Sequence, residues 1–352
     1  MATFFAAHAM KERMSRAMLA RSEVHGIGVG YRDPRNPKKG AAVIIYTNTM
    51  SPTMLRLSST LTMTTKGKAV TVPVRFVKSG KIHAYVDYKR RVRPMPAGYS
   101  IGTVGGSGSV GLIVTNVPNA SQRFIFSNNH VLNPTNSSVM TETLQPGGAD
   151  NGQLGRDTVG RLYRYVELQK NKSNWVDIAL SIPRTNRLLS PRYATVGVLP
   201  GYVTTYRVGE RFKKVGRTTG LVSGVVDSIN TDIQIDYGES LGTLNFKNQT
   251  VIRGRNPVSL PGDSGSVWLR ERDNYAAAVN FAGSNDGRVS VAFPVNWAMK
   301  IFRTRIARPD GAGYVKRVKT DKSPRSYVRQ LTARELASLK VLQVRSKKRK
   351  RT

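Results

Sequence analysis

The chain has 352 residues, 39% of them hydrophobic, with 56 Lys and Arg against 21 Asp and Glu, a formal net charge of +35. That length accommodates two or three packed units with a real core, and the charge lies far beyond what solubility requires. No run approaches the ~20 apolar residues of a membrane span, and the lack of cysteine excludes a disulfide framework and points to a reducing compartment.

The apolar start Phe4-Phe5-Ala6-Ala7 is cut off by His8, Lys11, Glu12 and Arg13. No secretory signal is therefore expected, and an intracellular location is, cytoplasmic or, in a eukaryote, nuclear. Met10, Met14, Met18 and Leu19 recur at helical spacing, with Lys11, Arg13 and Arg16 elsewhere on the wheel, which predicts an amphipathic helix over residues 3–21 packed on its own domain. Two strand-like runs follow, Ala41 to Thr47 and Val70 to Val77, the first preceded by the basic turn Pro34 to Gly40. This small α/β unit, residues 1–95, ends near Arg93-Pro94-Met95-Pro96, whose prolines suit an extended linker. Within it, Gly26-Ile27-Gly28-Val29-Gly30 lacks the spacing of a dinucleotide loop, and a proline soon follows where a helix would have to run.

From there on, short apolar runs alternate with Gly, Pro, Asn and Ser, the pattern of a mainly β protein. A first β unit spans 96–190 and opens with Gly105-Gly106-Ser107-Gly108-Ser109-Val110-Gly111, where glycine permits close backbone approach. A second spans 191–300, with strand candidates at Gly220 to Ile229, Asp232 to Tyr237, Thr250 to Arg253, Ser266 to Arg270 and Ala276 to Phe281. A basic, partly disordered extension, 301–352, holds a helix candidate at Thr332 to Val344. Its seventeen basic side chains stand against three acidic ones, and it ends in Lys347, Lys348, Arg349, Lys350 and Arg351. Such a run can bind nucleic acid or another polyanion, or serve as a nuclear address; it can equally be a solvated tail.

The segment Leu260-Pro261-Gly262-Asp263-Ser264-Gly265-Ser266 sets a serine between glycines. A serine hydroxyl is a weak nucleophile until a base takes its proton, so the segment calls for a histidine and a carboxylate. There are four histidines. His8 falls in the predicted helix, His25 before the glycine-rich turn and His83 in a polar, basic stretch. His130 closes the apolar run Phe124-Ile125-Phe126-Ser127-Asn128-Asn129, which puts an imidazole at a strand end where a cleft can reach it. Asp177 interrupts the apolar run Trp175-Val176-Asp177-Ile178-Ala179-Leu180, and a carboxylate buried there needs a hydrogen-bond donor. The chain order His130, Asp177, Ser264 is one of the three known orders of a Ser-His-Asp triad.

These segments resemble the trypsin- and chymotrypsin-like serine peptidases. With Gly26 to Tyr31, Arg93 to Gly102, Leu144 to Gly147, Gly216 to Gly220 and Phe281 to Ser284, they are similar to the bacterial and plant branch that includes the narrow-leaf regulator of plants, over roughly residues 24–300. The resemblance implies a double six-stranded antiparallel β-barrel, with His130 and Asp177 from the first barrel and Ser264 from the second. It also implies a serine endopeptidase working through an acyl-enzyme on protein or peptide substrates. The backbone N–H groups of Gly262 and Ser264 would form the oxyanion hole, and Asp263 would hold the turn through a buried partner. Val258 and Asn280, Phe281, Ala282 and Gly283 would wall the specificity pocket, and an apolar Val258 favours small or apolar side chains at the cleaved position. No cluster has metal-ligand spacing, and no cofactor is indicated. A homo-oligomer, a catalytically idle scaffold, or an assembly protein on nucleic acid remain open alternatives.

Overall fold

The computed structural model describes residues 1–48, 58–65, 68–80, 82, 86–321 and 323–344. His83 and the terminal run from Lys347 to Arg351 lie outside the described residues. The chain divides into two compact units, residues 1–85 and 86–352.

In the first unit, helix α1 (Phe4–Leu19) precedes strands β1 (Val24–Tyr31), β2 (Ala41–Thr47), β3 (Thr60–Thr65) and β4 (Lys68–Lys78), which form one sheet in the order β1-β2-β4-β3. Thr3 caps the helix by accepting the Ala6 N–H at 3.1 Å. Ala7, Met10 and Met18 bury against Val43, Ile45 and Val72. Leu19, placed by periodicity on the apolar face, is 54% exposed, because the helix ends there and turns into the next strand. The glycine-rich stretch is strand β1, antiparallel to β2, and not a turn. His8 faces Glu12 on the exposed side of α1, and His25 Nδ1 lies 3.2 Å from Ser79 Oγ.

The second unit begins with β5 (Met95–Ala97), β6 (Ser100–Thr103), β7 (Gly106–Ser109), β8 (Leu112–Asn116) and β9 (Arg123–Ser127), followed by the single-turn helix α2 (Asn129–Leu132). β10 (Glu142–Leu144), β11 (Thr158–Val166), β12 (Ala179–Pro183), β13 (Leu189–Tyr193) and β14 (Gly201–Val203) come next. Then come β15 (Arg211–Gly216), β16 (Gly220–Asp236), the turn α3 (Gly238–Leu241), β17 (Thr243–Arg253), β18 (Val267–Arg270), β19 (Ala276–Gly283) and β20 (Val289–Pro294). The chain closes with α4 (Val295–Phe302), β21 (Thr304–Arg308), β22 (Gly311–Ala312), β23 (Tyr314–Lys316), α5 (Ala333–Ser338) and β24 (Val341–Gln343).

Strands β6 to β12 build one antiparallel sheet, and β15 to β20 build a second in the order β18-β15-β16-β17-β20-β19. Pairing of β18 with β19 closes the latter into a six-stranded ring. The fold is mainly β, as expected, and these two sheets stand where the resemblance implies the two barrels. Tyr193 ties the barrels' linker to the second ring, its hydroxyl donating to Val267 O at 2.7 Å and accepting the Val215 N–H.

Three expectations differ in detail. The runs Gly220 to Ile229 and Asp232 to Tyr237 merge into one 17-residue strand, β16, that ends one residue before Tyr237; its pairing with β17 shifts register between Ser228 and Ile233, with Asn230 at φ +52°. The basic extension is also more structured than a tail: β21 pairs with β8, β23 with β14 and β24 with β11. Helix α5 stops at Ser338, well short of Val344. The Thr332–Glu335 capping box starts it, but Val341 to Gln343 find a free strand edge at Arg164 to Val166 and extend along it.

Candidate active site

Strand β9 is buried through Phe124, Ile125 and Phe126, and it stops where Asn128 takes an extended conformation ahead of α2. That turn aims the backbone of α2 at Asp177, which is wholly buried just before β12. The carboxylate accepts four hydrogen bonds. Its Oδ1 takes the N–H groups of Asn129 and His130 at 2.7 and 3.2 Å. Its Oδ2 lies 2.5 Å from His130 Nδ1 and takes the Tyr237 hydroxyl at 2.8 Å. A carboxylate so placed selects the imidazole tautomer with hydrogen on Nδ1, leaving Nε2 as a base. The ring stays partly open to solvent, its side chain 26% exposed.

Ser264 lies in the loop between β17 and β18, flanked by glycines at positive φ, Gly262 at +95° and Gly265 at +91°. A Cβ on Gly262 would come within 2.5 Å of Arg217 Nη1 and 2.7 Å of Thr218 Oγ1. Both carbonyls on the far edges of the peptides that carry the Gly262 and Ser264 N–H groups are pinned. Thr218 Oγ1 donates to Pro261 O at 2.7 Å, while Asn280 Nδ2 and the Ser266 hydroxyl and N–H donate to Asp263 O. Among the described residues, neither the Gly262 nor the Ser264 N–H has a protein acceptor, whereas those of Asp263, Gly265 and Ser266 do. Two backbone donors held open beside a serine can receive an oxyanion. The Ser264 hydroxyl donates to Phe281 O at 3.4 Å and, in this state, not to the imidazole.

The first barrel reaches this loop through its glycine-rich strand. The Ser109 N–H donates to Ser264 O at 2.8 Å, and its hydroxyl donates to Gly262 O at 2.9 Å while accepting the Arg217 N–H. A side chain on Gly108 would strike Val131 and Ser264 O, and one on Gly111 would strike Gly265 O. A second link joins the Arg217 guanidinium to Asp150, which also accepts the Ser100 hydroxyl.

The partner of Asp263 is Lys214. Its Nζ lies 3.3 Å from Asp263 Oδ2, both side chains are fully buried, and the ammonium sits over the Trp268 ring at 5.4 Å. Burial pushes the Asp263 carboxyl up, but Lys214 and the Thr219 and Leu260 N–H groups more than offset this and hold it below the usual carboxylate range. Burial lowers the Lys214 ammonium, against the pull of Asp263. Strand alternation held the signal for this lysine, since Lys214 falls on the same inward face as Phe212. Tyr237 carried no comparable signal; it reaches Asp177 from the tip of the β16–β17 hairpin, whose β17 strand docks on Asn174 and Trp175.

The residues assigned to a specificity pocket differ in exposure. Val258 and Asn280 are 1% exposed. Phe281 turns inward onto Phe246 and Phe293, at centroid distances of 4.8 and 5.7 Å. Asn280 Oδ1 accepts the hydroxyls of Ser259 and Ser290. Ala282 and Gly283 are more open, yet a Cβ on Gly283 would lie 2.9 Å from Ser259 Oγ, so the two walls nearly touch. Among the described residues no group of three His, Cys, Asp or Glu could hold a metal, and no helix is long and apolar enough to cross a membrane.

No protein-family model and no curated protein matches the sequence. Solved structures similar to the chain include a glutamic acid specific serine protease, at 20% identity and TM-score 0.44, covering 60% of this chain and 100% of its own. Nocardiopsis protease, at 23% identity and TM-score 0.42, and Thermobifida fusca protease A, at 19% and 0.42, each cover 60% of this chain and 97% of their own.

Proposed function

We propose that this chain is a serine endopeptidase in which Ser264 is the nucleophile, His130 the general base and Asp177 the carboxylate that orients and balances the imidazole. The observation that carries the reading is the 2.5 Å contact of His130 Nδ1 with the buried Asp177, together with a serine loop whose Gly262 and Ser264 N–H groups have no acceptor among the described residues. Ser264 Oγ, turning from Phe281 O, attacks a peptide carbonyl and gives its proton to His130 Nε2. The carbonyl oxygen, now negative, takes the Gly262 and Ser264 N–H groups, and the proton passes from Nε2 to the leaving amine. Water, deprotonated by the same nitrogen, then releases the acyl group. The near contact of Ser259 with Gly283 supports small side chains at the cleaved position. Ser264→Ala should leave the fold intact and lower cleavage by a factor on the order of 10⁴ to 10⁶. Undiminished cleavage by that variant would remove the reading.

A net charge of +35 supports a second property, binding of nucleic acid or another polyanion, with the run from Lys347 to Arg351 as its densest segment. Removal of residues 345–352 should weaken RNA or DNA binding and flatten its salt dependence. Binding that ignores salt would rule it out.

A further inference from the structure

We infer that Tyr237, carried by the second barrel, is a positioning residue for the His130–Asp177 pair, a role that rests on the peptidase reading. Its hydroxyl donates to Asp177 Oδ2 at 2.8 Å, the same oxygen that faces His130 Nδ1. Its ring meets the imidazole edge to face, with centroids 5.6 Å apart and planes at 76°. The Tyr237 side chain therefore contacts both members of the pair, and it comes from the barrel that carries the serine.

The placement is held by several contacts. Tyr237 follows β16 directly, and its N–H donates to Gly242 O at 3.0 Å, closing the hairpin tip. The facing strand β17 docks on the segment that leads to Asp177. Asn174 N–H donates to Asn245 O at 2.8 Å, Lys247 N–H donates to Asn174 O at 2.9 Å, and Gln249 Nε2 donates to Trp175 O at 3.0 Å. The Tyr237 ring stacks on Phe246 at 6.1 Å and 25°. A hairpin registered at Asn174 and Trp175 thus delivers its tyrosine two to three residues further on, at Asp177.

The chemistry favours a neutral donor here. Burial and the adjacent Asp177 carboxylate both hold the Tyr237 phenol well above its ordinary value, so the group remains a donor throughout the working pH range. A hydrogen bond to Oδ2 fixes the carboxylate's rotation and disperses part of its charge. It keeps the acceptor aimed at Nδ1 and moderates how strongly Asp177 stabilises the imidazolium. Among the described residues, the titratable groups in contact with the His130 ring are Asp177 and Tyr237. Asp236 and Glu239, beside Tyr237 on the hairpin, are exposed. On β11, which packs against α2, Arg161 is exposed, Arg164 donates to Phe302 O and Tyr165 is buried.

The test is Tyr237→Phe, which keeps the ring against Phe246 and removes only the hydroxyl. Loss of the donor leaves more charge on Oδ2, so the imidazolium of His130 should be stabilised and lose its proton at higher pH than in the wild type. We expect that shift in an NMR titration of His130 made in the Ser264→Ala background, where no turnover is needed. In the active protein the acid limb of kcat/KM should move up by the same amount, and kcat should fall about tenfold with KM unchanged. An unchanged near-ultraviolet circular dichroism spectrum identifies the effect as local. An unaltered His130 titration in Tyr237→Phe overturns the assignment whatever the activity shows. A wild-type protein that cleaves nothing sinks the peptidase reading instead, and the titration still decides what Tyr237 does to the pair.

Discussion

Lys214 and Asp263 form an ion pair of 3.3 Å sealed from solvent on both sides, directly beneath the turn that carries Ser264. The carboxylate's other oxygen takes the N–H groups of Thr218 and Thr219, so one side chain ties β15, the following turn and the serine loop together. The pair is internal to the chain, and its cation sits on a strand of the ring.

Replacing Lys214 by Met keeps the side chain's bulk and leaves a buried carboxylate without its cation. The loss of stability should be about 3–5 kcal/mol, read as a lower denaturant midpoint with unchanged slope. A midpoint within experimental error of wild type would show that Asp263 is satisfied by backbone donors alone.

The acid limb of stability follows from the same group and its neighbours. Burial raises the Asp263 and Asp150 carboxyls, but Lys214 with backbone N–H groups, and Arg217 with Ser100, more than offset it, so both titrate below the usual range when folded. A carboxyl lowered on folding adds stability that is complete above the unfolded value of about 4 and disappears as pH falls through the folded value. The melting temperature should therefore hold steady from neutral pH to about 5 and drop progressively below pH 4. Asp150→Asn should shrink that drop; a drop of unchanged size would remove Asp150 from its causes.

Gly262→Ala tests the proposed oxyanion donors. The added methyl meets Arg217 and Thr218 at a backbone angle of +95° that favours glycine, so the turn must distort. Cleavage should fall by about 10²–10³ while substrate binding changes little. Near wild-type kcat would mean that the Gly262 N–H does not meet the developing charge.

Ser109 links the first barrel to this turn. Ser109→Ala strips the donor from Gly262 O and the acceptor from the Arg217 N–H, two partly enclosed groups, and should cost about 1–3 kcal/mol. Active-site labelling should slow as well, since the loop loses one of its ties to the opposite barrel. Destabilisation without slower labelling would make Ser109 purely structural.

The parts of this site legible in the sequence were those with local signatures. His130 ends an apolar strand, Asp177 interrupts one, and the glycines around Ser264 and from Gly105 to Gly111 announce tight turns and close approach. The mainly β character was legible for the same reason, in short apolar runs punctuated by turn residues, whereas two barrels were expected from the family resemblance alone. What stayed hidden depends on contacts far apart in sequence. Tyr237 and Asp177 are sixty residues apart, and nothing local to either announces the other. Lys214 reads as one more surface cation in a basic chain until strand alternation is weighed against its neighbour Phe212. The helix expected from Thr332 to Val344 runs too long, because Val341 to Gln343 pair with an open strand edge on β11 far away in sequence.

The most direct test of the central claim is to treat the purified full chain with a fluorophosphonate probe and locate the adduct by mass spectrometry. Labelling at Ser264, absent in Ser264→Ala and strongly slowed in His130→Ala, is the predicted result. A folded wild-type protein that takes no label at Ser264, or takes it equally without His130, would contradict an activated serine at this site.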